Sequence, residues 1–287
     1  MRLFKHILFT LFAAILLLVI WAGVVIYLKS APSRQLTNSW VFKENRVGPI
    51  TGDLDGIPVS IPPHIARFVE YEGDPHFLEP RKGDTPTRNS QSKLRSFGFE
   101  VRFPDRVLLT PETQQEKRKS NIYNTMWLDV GISVKPNNNT LDLRRLVDAI
   151  PLEIWDAQHT PSDPPALWKD KHGYIRSPNP LYGLIVDEVY GYSEASRYKF
   201  PGVDMGDKNV YHHVDAQGRI DAFIACHNVK HDAALCEHSF ILPTAKNTMV
   251  SVDYRIGLLP QWSEIQEAVA QVILSFTIKP NEKIPQL

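Results

Sequence analysis

Cysteine is nearly absent. Cys226 and Cys236 are the only two in 287 residues, and they form no CxxC ligand pair. A charge excess is also missing, since 32 basic residues are balanced by 32 acidic ones. Binding along a phosphate backbone needs a basic surplus, so nucleic acid is excluded as the main partner. Glycine is scarcer than proline, 15 against 22, which favours short proline-punctuated strands and loops over long helices. The chain has no P-loop, no dinucleotide fingerprint and no HExxH motif. It has no internal repeat, and Asn137-Asn138-Asn139 is its one low-complexity tract. Long charge-free runs are absent as well, with a single exception.

That exception is Ile7 to Leu28, ILFTLFAAILLLVIWAGVVIYL. A helix of this length, at about 1.5 Å per residue, spans the roughly 30 Å hydrocarbon core of a bilayer. Trp21 and Tyr27 lie toward its far end, where amphipathic rings favour the interface. Arg2, Lys5 and His6 precede it with no acid among them, so the head stays in the cytoplasm and the C-terminal bulk crosses. The expectation is a single-pass inner-membrane protein with a cytoplasmic head (1–6), a membrane helix (7–28) and a tether (29–39). The rival reading is a cleaved signal peptide. Against it, the apolar run is long for an h-region, and Leu28-Lys29-Ser30-Ala31-Pro32 offers no small-x-small site.

The remainder is expected to be α/β (α+β), with antiparallel-rich sheets and a packed C-terminal helix. Phe97, Phe99, Val101 and Phe103 alternate with Gly98, Glu100 and Arg102, which predicts a half-buried strand. Leu128, Val130, Ile132 and Val134 predict another. Further strands are predicted over Leu181–Val189, Asn209–Val214, Ile220–Cys226, Cys236–Leu242 and Met249–Arg255. Leu141–Ile150 reads as a short helix, and Pro111–Ser120 as a charged connection. In Pro260–Phe276, Trp262, Ile265, Val269, Val272 and Phe276 recur at helical spacing, so that helix presents one apolar stripe to a sheet. Prolines crowd Thr160–Pro180, an expected irregular connection. The expected organisation outside the membrane is a first lobe (40–160), a Pro-rich connection (161–180), a sheet-and-helix lobe (181–279) and a tail (280–287).

Cys226 and Cys236 flank the loop between two predicted antiparallel strands, which brings their sulfurs together. One disulfide in an oxidising compartment is the expectation. Free thiols are one alternative. The other is a zinc site drawn from Cys226, His227, His231, Cys236 and His238.

Motifs of catalytic chemistry are otherwise few. Gly191-Tyr192-Ser193-Glu194-Ala195 has the outline of a nucleophile elbow, but Ala195 stands at its last position and no HGG-type oxyanion loop accompanies it. Ser193 therefore reads as a turn serine. His212 and His213 are adjacent in a predicted strand, so they point to opposite faces. Asp53 with Asp55, and Asp187 with Glu188, lack the ligand density of a calcium loop. No catalytic, cofactor-binding or metal-binding residue is assigned.

Three segments carry a family resemblance: Leu258-Leu259-Pro260-Gln261-Trp262-Ser263-Glu264-Ile265, the strand Val250 to Tyr254, and Gly52-Asp53-Leu54-Asp55-Gly56-Ile57-Pro58-Val59. With the basic-flanked anchor, they resemble membrane-anchored periplasmic immunity proteins encoded beside phospholipase effectors of bacterial type VI secretion systems. The resemblance implies a non-enzymatic binding protein that occludes its cognate secreted phospholipase effector, and it implies no cofactor. An envelope hydrolase using Ser193 and a structural subunit of an envelope complex are the alternatives.

Overall fold

The computed structural model describes residues 48–75, 86–135, 141–150, 173–190, 208–228 and 233–278. The chain falls into two units, Met1–Asn45 and Arg46–Leu287, and the described residues all belong to the second. The expected head (1–6), membrane helix (7–28), tether (29–39) and tail (280–287) lie outside them. Among the described residues no helix is long and apolar enough to cross a membrane.

The first two strands, β1 (Ile50–Leu54) and β2 (Ile57–Ile61), form a separate hairpin. Asp55 and Gly56 join them with φ of 49° and 90°. Two successive positive φ values match the twist of paired strands, and Asp-Gly tolerates them. The other strands form one ten-stranded sheet, antiparallel throughout. In chain order they are β3 (Arg67–Tyr71), β4 (Leu94–Arg102), β5 (Val107–Leu108), β6 (Trp127–Val134), β7 (Gly173–Arg176), β8 (Ile185–Tyr190), β9 (Lys208–Val214), β10 (Ile220–His227), β11 (Leu235–Ile241) and β12 (Thr248–Arg255). Across the sheet the order is β3-β4-β6-β12-β11-β10-β9-β8-β7, with β5 paired to β4. After β6 the chain crosses to the far edge at β7 and meanders back, so β12 lands against β6 with Val130 opposite Val252.

The expected lobes 40–160 and 181–279 thus supply strands to one sheet. They also share one core, in which Phe99, Val130, Val252, Ile224 and Phe240 are fully buried. Burying each such side chain contributes roughly 1.5–3 kcal/mol. The strand alternation read from the sequence accounts for this inner face. Phe97, Phe99 and Val101 from β4 and Leu128, Val130 and Ile132 from β6 all point into it.

Two elements cover the inner face. The first is α3 (Trp262–Ser275), entered through a 3-10 turn over Ile256–Gln261. Its stripe of Trp262, Ile265, Val269, Val272 and Ile273 is buried, and Phe276 just beyond meets Phe99 edge-on at 5.7 Å. The second is the β1–β2 hairpin. Ser60 N donates to Phe276 O at 2.8 Å and Ile278 N to Pro58 O at 2.9 Å, which stitches the hairpin to the end of α3. Asp53 N donates to Ser92 O at 2.8 Å, which ties it to the sheet. On the other face, two short helices precede β6 and β7 in the chain: α1 (Gln114–Lys119) and α2 (Arg144–Asp148). Leu146 and Val147 of α2, with Ile150, pack on Tyr174, Val189, Val210, Phe223 and Ala225, a smaller core beneath β7 to β10.

Three local expectations are corrected. Within Thr160–Pro180, residues Gly173–Arg176 are the edge strand β7, and Tyr174 is buried opposite Val189. The prolines that suggest a loop lie on either side of it, up to Pro165 before and from Pro178 after, and an edge strand tolerates them nearby. Within Pro111–Ser120 lies α1, whose Glu116 in the first turn and Lys117, Arg118 and Lys119 in the last suit the helix dipole. The strand expected over Leu181–Val189 begins only at Ile185. Leu181 and Leu184 close a tight turn on Tyr182 and Gly183, at φ 54° and 79°.

Candidate binding face

The sheet face opposite α3 carries a row of acids. In β4 and β6, Glu100 stands opposite Asp129; in β6 and β12, Asp129 stands opposite Asp253; in β12 and β11, Asp253 stands opposite Glu237. Four adjacent strands thus place a carboxylate at one level. Like charges directly opposite each other destabilise a sheet, and the inner core gains nothing from them.

Among the described residues, cations pair with three of these four acids. Arg67 of β3 donates from Nη1 to Glu100 Oε1 at 2.6 Å and from Nη2 to Asp129, and Lys117 of α1 also pairs with Glu100. Lys208 Nζ stands 3.6 Å from Glu237 Oε2 at the other end. Asp253 has no hydrogen bond or ion pair among the described residues. Its side chain reaches solvent, yet desolvation between the flanking strands raises its carboxyl to about 6. Glu237 and Asp129 add to that rise and Lys208 opposes it.

The ordinary value is 3.8, so the folded protein holds this proton more tightly than the unfolded chain does. The stability it contributes is present below about pH 4 and is lost as pH rises through about 6. Asp253→Asn removes the charge. It is expected to stabilise the protein by about 1 kcal/mol near pH 7.5, a figure discounted for exposure, and to do little near pH 4. Thermal unfolding at the two pH values checks this, and a variant less stable than wild type near pH 7.5 contradicts it.

The residues singled out in the sequence are dispersed. His212 and His213 do point to opposite faces. His212 is buried with Nδ1 3.5 Å from Asp187, whose carboxylate accepts from Arg176 Nε at 2.8 Å. Burial lowers the His212 pKa, with Asp187 opposing. His213 Nδ1 lies 2.6 Å from Asp221 Oδ1, beside the Trp262 ring. His238 is fully buried under α3, with Nε2 3.1 Å from Gln266 Oε1 and Nδ1 3.4 Å from the Tyr254 hydroxyl. Burial holds its pKa near 4, so it is neutral at physiological pH and acts as a polar peg in the core. Asp55 accepts from Asn247 N at 2.8 Å and Asn247 Nδ2 at 3.0 Å, while Asp53 pairs with Lys93 Nζ at 2.7 Å. Both acids line a cleft of about 610 Å³ with Glu72, Arg95 and Lys135, whose mixed charges favour no single ligand.

Cys226 and Cys236 stand directly opposite each other in β10 and β11, with sulfurs at bonding distance, 2.03 Å. Among the described residues no group of three His, Cys, Asp or Glu is placed to hold a metal. His231 of the zinc alternative and Ser193 of the elbow lie outside the described residues.

Sequence reasoning missed Glu100, Asp129, Asp253 and Glu237 as a set. Each occupies an outward position of its strand's alternation, and that much was visible. Their alignment depends on register between strands distant in the chain.

No protein-family model matches the chain, and no curated protein matches it. Among solved structures, the chain is similar to an immunity protein of the Stenotrophomonas maltophilia type IV secretion system. The identity is 18% and the TM-score 0.45, over 81% of this chain and 94% of that one.

Proposed function

We propose that this protein is a membrane-tethered periplasmic binding protein that neutralises a secreted antibacterial phospholipase of a type VI secretion system by occluding it. The observation that carries the reading is the carboxylate row across β4, β6, β12 and β11. It costs stability, and its Asp129, Asp253 and Glu237 reach solvent from adjacent strands of one sheet face, as the groups of a recognition surface do. An inhibitor needs such a surface rather than an active site, in the compartment where the toxin meets its lipid. The family resemblance supports the reading from another side. Its three segments fall on the β1–β2 hairpin, on β12 and on the opening of α3, the frame that holds this sheet.

The test is expression of the phospholipase encoded beside this gene, directed to the periplasm, with and without the full chain. Survival only in the presence of the chain is expected, with a complex recovered from detergent. Equal killing and no complex sink the reading. Ser193→Ala is expected to leave protection unchanged, and loss of protection in that variant would favour the hydrolase alternative.

A further inference from the structure

Two properties of the open face go beyond the carboxylate row. The next row along, Gly98, Gly131, Ser251 and Ser239 in successive register, is almost without side-chain bulk. A Cβ placed on Gly131 would meet nothing closer than Ser251 at 4.0 Å, whereas Gly98 and Ser239 at the two ends of the row are buried, so the accessible backbone floor beside the acids lies at Gly131 and Ser251. The rim of this face is apolar and exposed. Phe68 is 76% exposed at φ 51°, a conformation that a bulky side chain rarely adopts, and Arg67 lies over its ring at 6.0 Å. Ile122 and Tyr123, 60% and 59% exposed, sit in the segment between Lys117, which reaches Glu100, and Thr125, whose carbonyl accepts from Arg255 Nε. Exposed aromatic and aliphatic anchors beside a charged row are the ingredients of a protein-docking surface.

The distribution of charge names the guest. Arg67 pairs with Glu100 and Asp129, Lys117 with Glu100 and Lys208 with Glu237, while Asp253 has no ion pair among the described residues and feels Lys208 only from a distance. A guest that brings its own positive charge to the middle would complete the row. An acidic guest would be repelled along its whole length.

We propose that the outer face of β4, β6, β12 and β11 docks an extended cationic segment of the protein partner, with a Lys or Arg side chain seated on Asp253 between Asp129 and Glu237. The segment's backbone lies over Gly131 and Ser251, the partly exposed middle of the glycine–serine row. The inference rests on the binding-protein reading for the existence of a protein partner, and it adds the chemistry that partner presents.

The experiment uses the full chain in detergent and two probe peptides, acetyl-(Ser-Arg)4-amide and acetyl-(Ser-Glu)4-amide, followed by titration calorimetry. The arginine peptide is expected to bind at least about tenfold more tightly than the glutamate peptide, and to weaken as salt rises from about 50 to about 300 mM. In the double variant Asp253→Asn, Glu237→Gln, arginine-peptide affinity is expected to fall about tenfold while the melting temperature rises. That opposition of sign separates the proposal from a merely structural role, in which both quantities would fall together. Asp53→Asn, in the hairpin cleft, is expected to leave peptide affinity unchanged. Equal affinity for the two peptides, wild-type affinity in the double variant, or loss of binding in Asp53→Asn each overturns the proposal. So does saturable Ca²⁺ binding at the row without peptide binding. If the double variant still holds the phospholipase with wild-type affinity, this proposal fails and occlusion stands. If wild type holds no phospholipase yet binds the arginine peptide through Asp253, occlusion fails and the docking face stands.

Discussion

Val269→Asp is expected to leave little or no folded protein. Val269 is 0% exposed, in the middle of the α3 stripe and against the inner sheet face. Among the described residues Val269 is packed in an apolar cluster, and burying an aspartate there costs on the order of 4 kcal/mol or more, against a total stability of about 5–15 kcal/mol for a domain. Ser263→Asp is the matched control. It adds the same charge on the exposed side of the first turn of α3, where the helix dipole favours it, and should change stability by less than about 0.5 kcal/mol. Circular dichroism melts of the two variants give the comparison. A Val269→Asp melting temperature equal to wild type would mean that α3 does not pack on this face.

Replacing both Cys226 and Cys236 by alanine is the second large effect. The pair is fully buried, faces across β10 and β11 in register, and is separated by ten positions in the chain, with Cα atoms 4.0 Å apart. A bridge closing a loop of that size contributes about 2–3 kcal/mol in the chain-entropy picture. The double variant is therefore expected to melt several degrees lower, and dithiothreitol should lower wild type to a similar point without moving the variant. Unreduced intact mass should be lower by two hydrogens. Full alkylation of both thiols without reductant would contradict the bridge.

Much of the inner face was legible because burial writes itself into a strand every second residue and into a helix every third or fourth. Phe97 to Val101, Leu128 to Ile132 and the α3 stripe are all where that periodicity puts them. The parts that were not legible depend on pairing. Nothing local to Trp127–Val134 says that its partner is Thr248–Arg255, so one sheet read as two lobes. Tyr174 lies in a strand of only four residues, too short for alternation to stand out among its neighbouring prolines. The acid row fails for the same reason as the lobes. Asp129 and Asp253 are ordinary solvent-side residues until β6 and β12 are placed side by side.

That placement has a consequence for synthesis. β12 is the last strand among the described residues and lies within the sheet between β6 and β11. Until it has emerged, β6 presents an unpaired edge, rich in valine and isoleucine on one side. The helix that shields the inner face follows later still. A nascent chain halted before Thr248 therefore displays two open edges and an uncovered apolar surface. Such products are adhesive, and a folding helper that masks strand edges would act during this interval. A chain cut short before Thr248 lacks the strand that joins β6 to β11, and with it the seam between the two halves of the sheet.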